Sequence, residues 1–384
     1  MWSKQMRVGL VAATLALGGL MTGAQGAEPI RIGSFLSLSG PAAARGNAQL
    51  RTLQLYVNRI NADGGVLERP LQLVHYDDGS DAAEASALMT QLLGSDQVDI
   101  LVGGSTASTA EAAASLAASA GAPLIALSGA AQMLEPASPW VFGTAVTSRM
   151  AAESIIEDMR KRGISTIGLI SSTSEFGQTG REQALAVASE QGIQIAVDET
   201  YQVGSTDLTA ALTRIQNSVG VQAVLNIDTG QGAASVTGKY RTLGIDLPLY
   251  QSHGAASHAY LELAGEAAEG VRLPVGGLLV ANQLPADDPQ AGVVLTYSDA
   301  YREAYGVDTD QFGGYAHDGL MLAVEAIARA GSTDKAQVQE AIEQTRGLVG
   351  VTGVFNLSAD DHTGLDASDL HMVEIQNGAW SLMN

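Results

Sequence analysis

The 384-residue chain contains no cysteine. That excludes disulfides, thiolate metal sites and a lipid-modified cysteine behind a leader. Cations are scarce as well, with 20 Lys and Arg against 41 Asp and Glu and a formal charge of -21. Nucleic acids and anionic membrane surfaces both call for clustered cations, through counterion release or lipid attraction, so neither is an expected partner. No G-x-S-x-G elbow, Walker loop or HExxH motif is present, and His75, His258, His362 and His371 have no ligand-like spacing. No metal, no cofactor and no enzymatic activity are therefore expected. Beyond the first thirty residues no apolar run approaches the ~20 residues of a spanning helix, and no Pro-rich or Ser-rich linker divides the chain.

What is present begins with a leader-like segment. Lys4 and Arg7 precede an apolar stretch from Val8 to about Met21, followed by small residues at Ala24 and Gly26. This is the layout of a secretory signal peptide over residues 1–27, cleaved after Gly26 or Ala27. The alternative, an N-terminal membrane anchor, needs a longer apolar run. Length and a hydrophobic content of 46% suit two domains or one bilobed protein, each half with a full core.

Strand-like and helix-like segments then alternate. "IRIGSFLSL" reads as a strand, and the following helix opens at Pro41 and closes at Gly64–Gly65. "LQLVHYDD", "VDILVGG" and "PLIAL" are strands separated by helices, which predicts a parallel α/β sheet covered on both faces. The pattern restarts after "VFGTAVTSRM" with the strands "STIGLISS", "IQIAVDETY" and "VQAVLNID" and intervening helices. Two lobes of like topology follow from this order. A later segment, "TDQFGGYAHDGLMLAVEAIARAG", predicts another long helix.

Five blocks carry a family resemblance: "IGSFLSLSGPAAARGN", "NRINADGGVLERPLQLVHYDDGSD", "AGAPLIALSGA", "LAGEAAEGV" and "GGYAHDGLMLAVEAI". Together they resemble periplasmic solute-binding proteins of the leucine/isoleucine/valine type, which serve ABC importers. The resemblance implies a type I periplasmic binding fold, with two Rossmann-like lobes and a ligand in the cleft between them. Three crossovers are expected, near Ala145–Thr147, Leu273–Gly276 and Val351–Asn356. Lobe 1 then comprises residues 28–146 plus 276–352, and lobe 2 residues 147–275 plus 353–384. A periplasmic location, permease and ATPase partners, and a monomeric state are further implications.

Ligands of open α/β sheets bind at the carboxyl ends of strands. Thr106 and Ala107 stand at such an end, where the following helix offers unpaired amides and a partial positive charge to a carboxylate. A helix cap is the plainer role for Thr106. Ser128, Gly129 and Ala130 follow the next strand, at a loop that the resemblance implies touches the ligand. Ala130 stands where relatives often carry Thr, and Ser128 also suits a plain turn. Ser39 and Arg45 follow the first strand. Arg45 occupies the position of an aromatic wall in relatives and is suited to a second anionic group, to stacking, or to solvent. From the second half, Phe176 is placed to cover an apolar ligand or to join the core. Asp228 and His253 end two strands. His253 stands where amino-acid-binding relatives often have an acid, and an imidazole is a poor partner for a cation. These departures favour a simple or aromatic carboxylate over an α-amino acid, unless Asp228 replaces the missing charge. His317 and Asp318 are expected to tie a helix to the cleft rim. A free periplasmic sensor is the rival reading to an importer subunit.

Overall fold

The structure, a computed structural model, describes residues 28–129, 138–205 and 207–383. The expected leader and Ala130 lie outside the described residues. Strands β1 (Ile30–Leu36), β2 (Leu71–Asp77), β3 (Ile100–Gly103), β4 (Leu124–Ala126) and β5 (Val141–Gly143) form one sheet in the order β2-β1-β3-β4-β5. Every pairing in it is parallel. Strands β3 and β4 are buried, continuous apolar runs and β1 is buried at every position but Arg31, as a sheet covered on both sides requires.

The second sheet repeats this order. Strands β6 (Thr166–Ser172), β7 (Gln194–Tyr201), β8 (Ala223–Ile227), β9 (Leu249–Gln251) and β10 (Arg272–Gly276) run in parallel as β7-β6-β8-β9-β10. The short ribbon β11 (Leu348–Val349) and β12 (Val354–Phe355) is separate. The last two strands, β13 (Leu370–Gln376) and β14 (Ala379–Leu382), extend the second sheet antiparallel along the edge of β10. The switch between outgoing and returning strand order, β1/β3 and β6/β8, puts a crevice at the carboxyl ends of both sheets.

Helices cover the sheets. In the first half these are α1 (Ala43–Ala62), α2 (Ala82–Gly94) and α3 (Ala107–Ala120); in the second, α4 (Ser148–Lys161), α5 (Glu175–Gln191), α6 (Thr209–Asn217), α7 (Gly230–Thr242) and α8 (His258–Ala264). Then come α9 (Ala291–Tyr305), α10 (Gln311–Ala330) and α11 (Lys335–Glu343), and α10 packs back against α1 and the first sheet. Its cap is Asp310, whose carboxylate accepts from the amides of Phe312 and Gly313 at 3.0 Å each.

One core joins Ile30, Leu53 and Val102 to Leu320, Ile327 and Leu370, so early and late chain segments share it. The second half has a core joining Ile170 and Tyr240 to Val373 and Trp380. Among the described residues no helix is long and apolar enough to cross a membrane.

Between β11 and β13 the chain is pinned from both sides. The buried Asp318 carboxylate on α10 accepts from the amides of Val351 (2.9 Å) and Thr352 (2.7 Å) and pairs with His317 Nδ1 at 2.8 Å. Asp369 accepts from the Val354 amide at 2.8 Å. Asp318 thus ties α10 to the segment between β11 and β12.

Candidate functional site at the strand tips

Apart from Arg45, the expected site residues within the described chain follow the carboxyl ends of parallel strands. Ser39 follows β1, Thr106 and Ala107 follow β3, Ser128 and Gly129 follow β4, Phe176 follows β6, Asp228 follows β8 and His253 follows β9. Arg45 projects from the first turn of α1.

On the first sheet, Thr106 is the cap of α3. Its hydroxyl accepts from the Thr109 amide at 3.2 Å, and Thr109 Oγ1 accepts from the Thr106 amide at the same distance, a reciprocal capping box. Ser105 is fully buried: its hydroxyl donates to Gln49 Oε1 (2.6 Å) and accepts from the Ser37 amide (3.0 Å), fixing the β1 and β3 tips relative to α1. Arg45 does not extend into solvent. Its Nη1 donates to the Ser105 carbonyl at 3.0 Å and its guanidinium lies 4.5 Å from the centre of the Phe312 ring. Burial lowers its pKa, opposed by the nearby Tyr315 and Asp310. Ser39 is exposed, tied through its amide to Asp77 at 3.1 Å. Ser128 is buried and its hydroxyl has no partner. A Cβ on Gly129 would overlap the Val146 carbonyl, so only glycine lets the two loops meet there.

On the second sheet, Phe176 and His253 face each other with ring centres 5.2 Å apart. His253 Nδ1 is buried without a partner, and burial holds the imidazole pKa down at about 4, so the ring is neutral at physiological pH. Asp228 is differently placed. Its Oδ1 accepts from Ser172 Oγ (2.9 Å) and the Thr229 amide (2.8 Å), and its Oδ2 accepts from the Tyr201 hydroxyl (2.7 Å). Burial and that bond raise the Tyr201 pKa. The Asp228 carboxylate is thereby an internal support of lobe 2, and its carbonyl takes the Ser252 hydroxyl at 3.3 Å.

The structure therefore brings the expected residues into three groups: Arg45 with the β3–α3 turn, Ser128–Gly129 beside Val146, and Phe176 with His253. A solvent-connected hollow of about 350 Å³ lies against Val146 and His253. Its wall includes Val146, His253, Pro274–Gly276, Tyr315 and Val351–Thr352. His253 also borders a second, mostly apolar hollow of about 240 Å³ between α4, α5 and β8, which Phe176 helps to line. Gln49, Tyr315 and Phe312 escaped the sequence reading. The Asp310 cap and the "GGY" turn mark the start of α10, but no local signal shows that this turn meets Arg45. Among the described residues no three His, Asp or Glu side chains gather in a way that would hold a metal.

Two α/β lobes with matching strand order, meeting at their strand tips around three chain crossings, define a type I periplasmic binding fold. The model for the periplasmic binding protein family matches residues 29–379, and the chain belongs to that family, which comprises solute-binding proteins rather than enzymes. The leucine-, isoleucine-, valine-, threonine- and alanine-binding protein of Pseudomonas aeruginosa is 23% identical over 373 residues, covering 96% of this chain and 95% of that one. The Leu/Ile/Val-binding protein of Escherichia coli is 23% identical over 278 residues, 68% and 71% of the two chains. Among solved structures, an extracellular ligand-binding receptor from Rhodopseudomonas palustris superimposes with a TM-score of 0.81 at 27% identity, covering 92% of this chain and 99% of its own. A branched-chain amino acid transporter substrate-binding protein from Streptococcus pneumoniae, in complex with isoleucine, shares the fold at a TM-score of 0.77 and 24% identity, with 93% and 99% coverage.

Proposed function

We propose that the chain is the periplasmic, substrate-binding component of an ABC importer, exported by a cleavable leader and acting as a monomer. It holds a branched-chain amino acid or a related small carboxylate between lobe 1 (28–146 plus 276–352) and lobe 2 (147–275 plus 353–384). The observation that carries this reading is the pair of buried, unpartnered polar atoms, Ser128 Oγ and His253 Nδ1, at the strand tips of opposite lobes. Such atoms cost stability unless something meets them. A ligand that touches both lobes favours the closed arrangement in proportion to its differential affinity, and the closed form is what an importer recognises. The carboxylate sits at the α3 amino terminus near Arg45, and Phe176 and His253 close over the apolar part. The names of the relatives support an amino acid or a close analogue.

Thermal-shift screening of amino acids, aliphatic acids and aromatic acids tests this. A binder should raise the melting temperature of the wild type, and Thr106→Ala combined with His253→Ala should abolish the rise. An undiminished rise in that variant removes both residues from the site. X-ray scattering should show a smaller radius of gyration with the binder; an invariant radius argues against lobe closure.

A further inference from the structure

We propose that Asp78, the acid that follows β2, is coupled to the lobe 1 site: a ligand carboxylate at the start of α3 competes with it for the same partial positive charge, and binding draws a proton from solvent onto Asp78 Oδ2. The inference rests on reading the cleft as a small-carboxylate site. Asp78 is fully buried. Its Oδ1 accepts from the Ser37 hydroxyl at 2.7 Å and the Ser80 amide at 2.9 Å, whereas Oδ2 is buried without a hydrogen-bond partner. The Thr109 hydroxyl lies beside the carboxyl but donates to the Thr106 carbonyl at 3.2 Å. An ionised carboxylate with a bare, buried oxygen is costly, and a proton on that oxygen removes the cost.

Buried hydrogen bonds connect this acid to the site. The Ser37 amide donates to Ser105 Oγ at 3.0 Å, Ser105 Oγ to Gln49 Oε1 at 2.6 Å, and Gln49 Nε2 to the Leu127 carbonyl at 3.4 Å. Ser105 immediately precedes the Thr106 cap of α3, and its carbonyl holds Arg45. Asp78 is thus two hydrogen bonds from the residue beside the cap, and both carboxylates draw on the same helix terminus. Bringing the second into a site shielded from water raises the pKa of the first, as between any two carboxylates that share a site. Burial already raises the Asp78 pKa, opposed by Ser37, Ser80 and Thr109 and assisted by the like charge of Asp77. The other charged groups of the surrounding elements are engaged elsewhere. Asp77 accepts from the amides of Leu38, Ser39 and Gly79, and Asp81 caps α2 through the amides of Ala83 and Glu84. The charged side chain of α3, Glu111, is opposed by Glu175 of α5 and is the rival proton acceptor.

Titration calorimetry with leucine and with 4-methyl-2-oxopentanoate tests the inference, since the carboxylates of both stay ionised from pH 5 to 8. Wild-type affinity should rise about three-fold or more as pH falls across this range, within the limit of about ten-fold per pH unit that a single coupled proton allows. Buffers of different ionisation enthalpy should reveal proton uptake at pH 5.5. Asp78→Asn keeps an acceptor oxygen for Ser37 and Ser80 but does not titrate, so its affinity should be flat with pH and its proton uptake lost. Ser37→Ala removes a donor to the ionised form and should move the pH dependence upward, which decides the matter should Asp78→Asn fail to fold. A pH-independent wild-type affinity, uptake that persists in Asp78→Asn as it would if Glu111 took the proton, or an unmoved profile in Ser37→Ala overturns the inference while the carboxylate reading stands. Should neither probe bind at millimolar concentration, the carboxylate reading itself falls and takes this inference with it.

Discussion

Replacing Asp228 by alanine separates a structural carboxylate from a ligand contact. The side chain accepts three hydrogen bonds, and their fates on removal differ. The Thr229 amide lies at an exposed position and gains water. The Ser172 hydroxyl retains Ser174 Oγ at 2.7 Å. The buried Tyr201 hydroxyl loses its charged acceptor at 2.7 Å and is left with Asn226 beside it. A bond to a charged acceptor contributes about 1.5–3 kcal/mol and a stranded buried donor costs about 1–3 kcal/mol, so Asp228→Ala should lower the stability of lobe 2 by about 2–4 kcal/mol. Tyr201→Phe should cost about 1.5–2 kcal/mol, and the double variant less than the sum, because the stranded hydroxyl is gone. Urea unfolding followed by Trp380 fluorescence in a Trp140→Phe background reads the lobe-2 core, in which Trp380 and Tyr201 both lie. The reasoning is refuted if Asp228→Ala changes stability by less than about 0.5 kcal/mol yet abolishes ligand-induced stabilisation, the signature of a carboxylate that serves the ligand.

The depressed pKa of His253 makes stability depend on pH in a defined window. The unfolded imidazole takes up its proton near pH 6.5 and the folded one only near 4, so the unfolded state binds more protons between these values. Stability should be unaffected above about pH 6.5 and fall by roughly 2–3 kcal/mol as pH drops toward 4. His371, also depressed by burial, acts in the same direction, and the difference between wild type and His253→Gln in melting temperature against pH isolates the His253 contribution. Asp318→Ala should cost about 3–4 kcal/mol by leaving the Val351 and Thr352 amides without an acceptor, while Asp318→Asn, keeping one acceptor oxygen, should cost less; equal and small losses in chemical denaturation would show that the crossing is held by other contacts.

The alternation of strands and helices was legible because it is local. β1, β2, β6 and β7 begin and end within a residue or two of their apolar patterns, and α1 stops just before the Gly64–Gly65 pair. Helix α4 passed unmarked despite the Thr147 cap, and the β13–β14 hairpin was not anticipated although its Asn377–Gly378 turn is a strong hairpin signal. Its antiparallel seat on β10 joins segments far apart in the chain, which no window of sequence carries. The site divides in the same way. Which residues follow a strand was readable from order alone, whereas the partners were not: Tyr201 on Asp228 and Phe312 under Arg45 depend on packing between distant elements. Thr106 shows the plainer of its two expected roles, since its hydroxyl caps α3 in a reciprocal box with Thr109.

The late return of the chain to both cores bears on the order of folding. Leu365 and Leu370 complete the core that Ile30 begins, and Trp380 completes the one that contains Ile170. At roughly 5–20 residues per second, a ribosome needs about 20–80 s to deliver those closing residues. Until then neither core is complete, and a product truncated before Leu365 is left with two unfinished interiors instead of one.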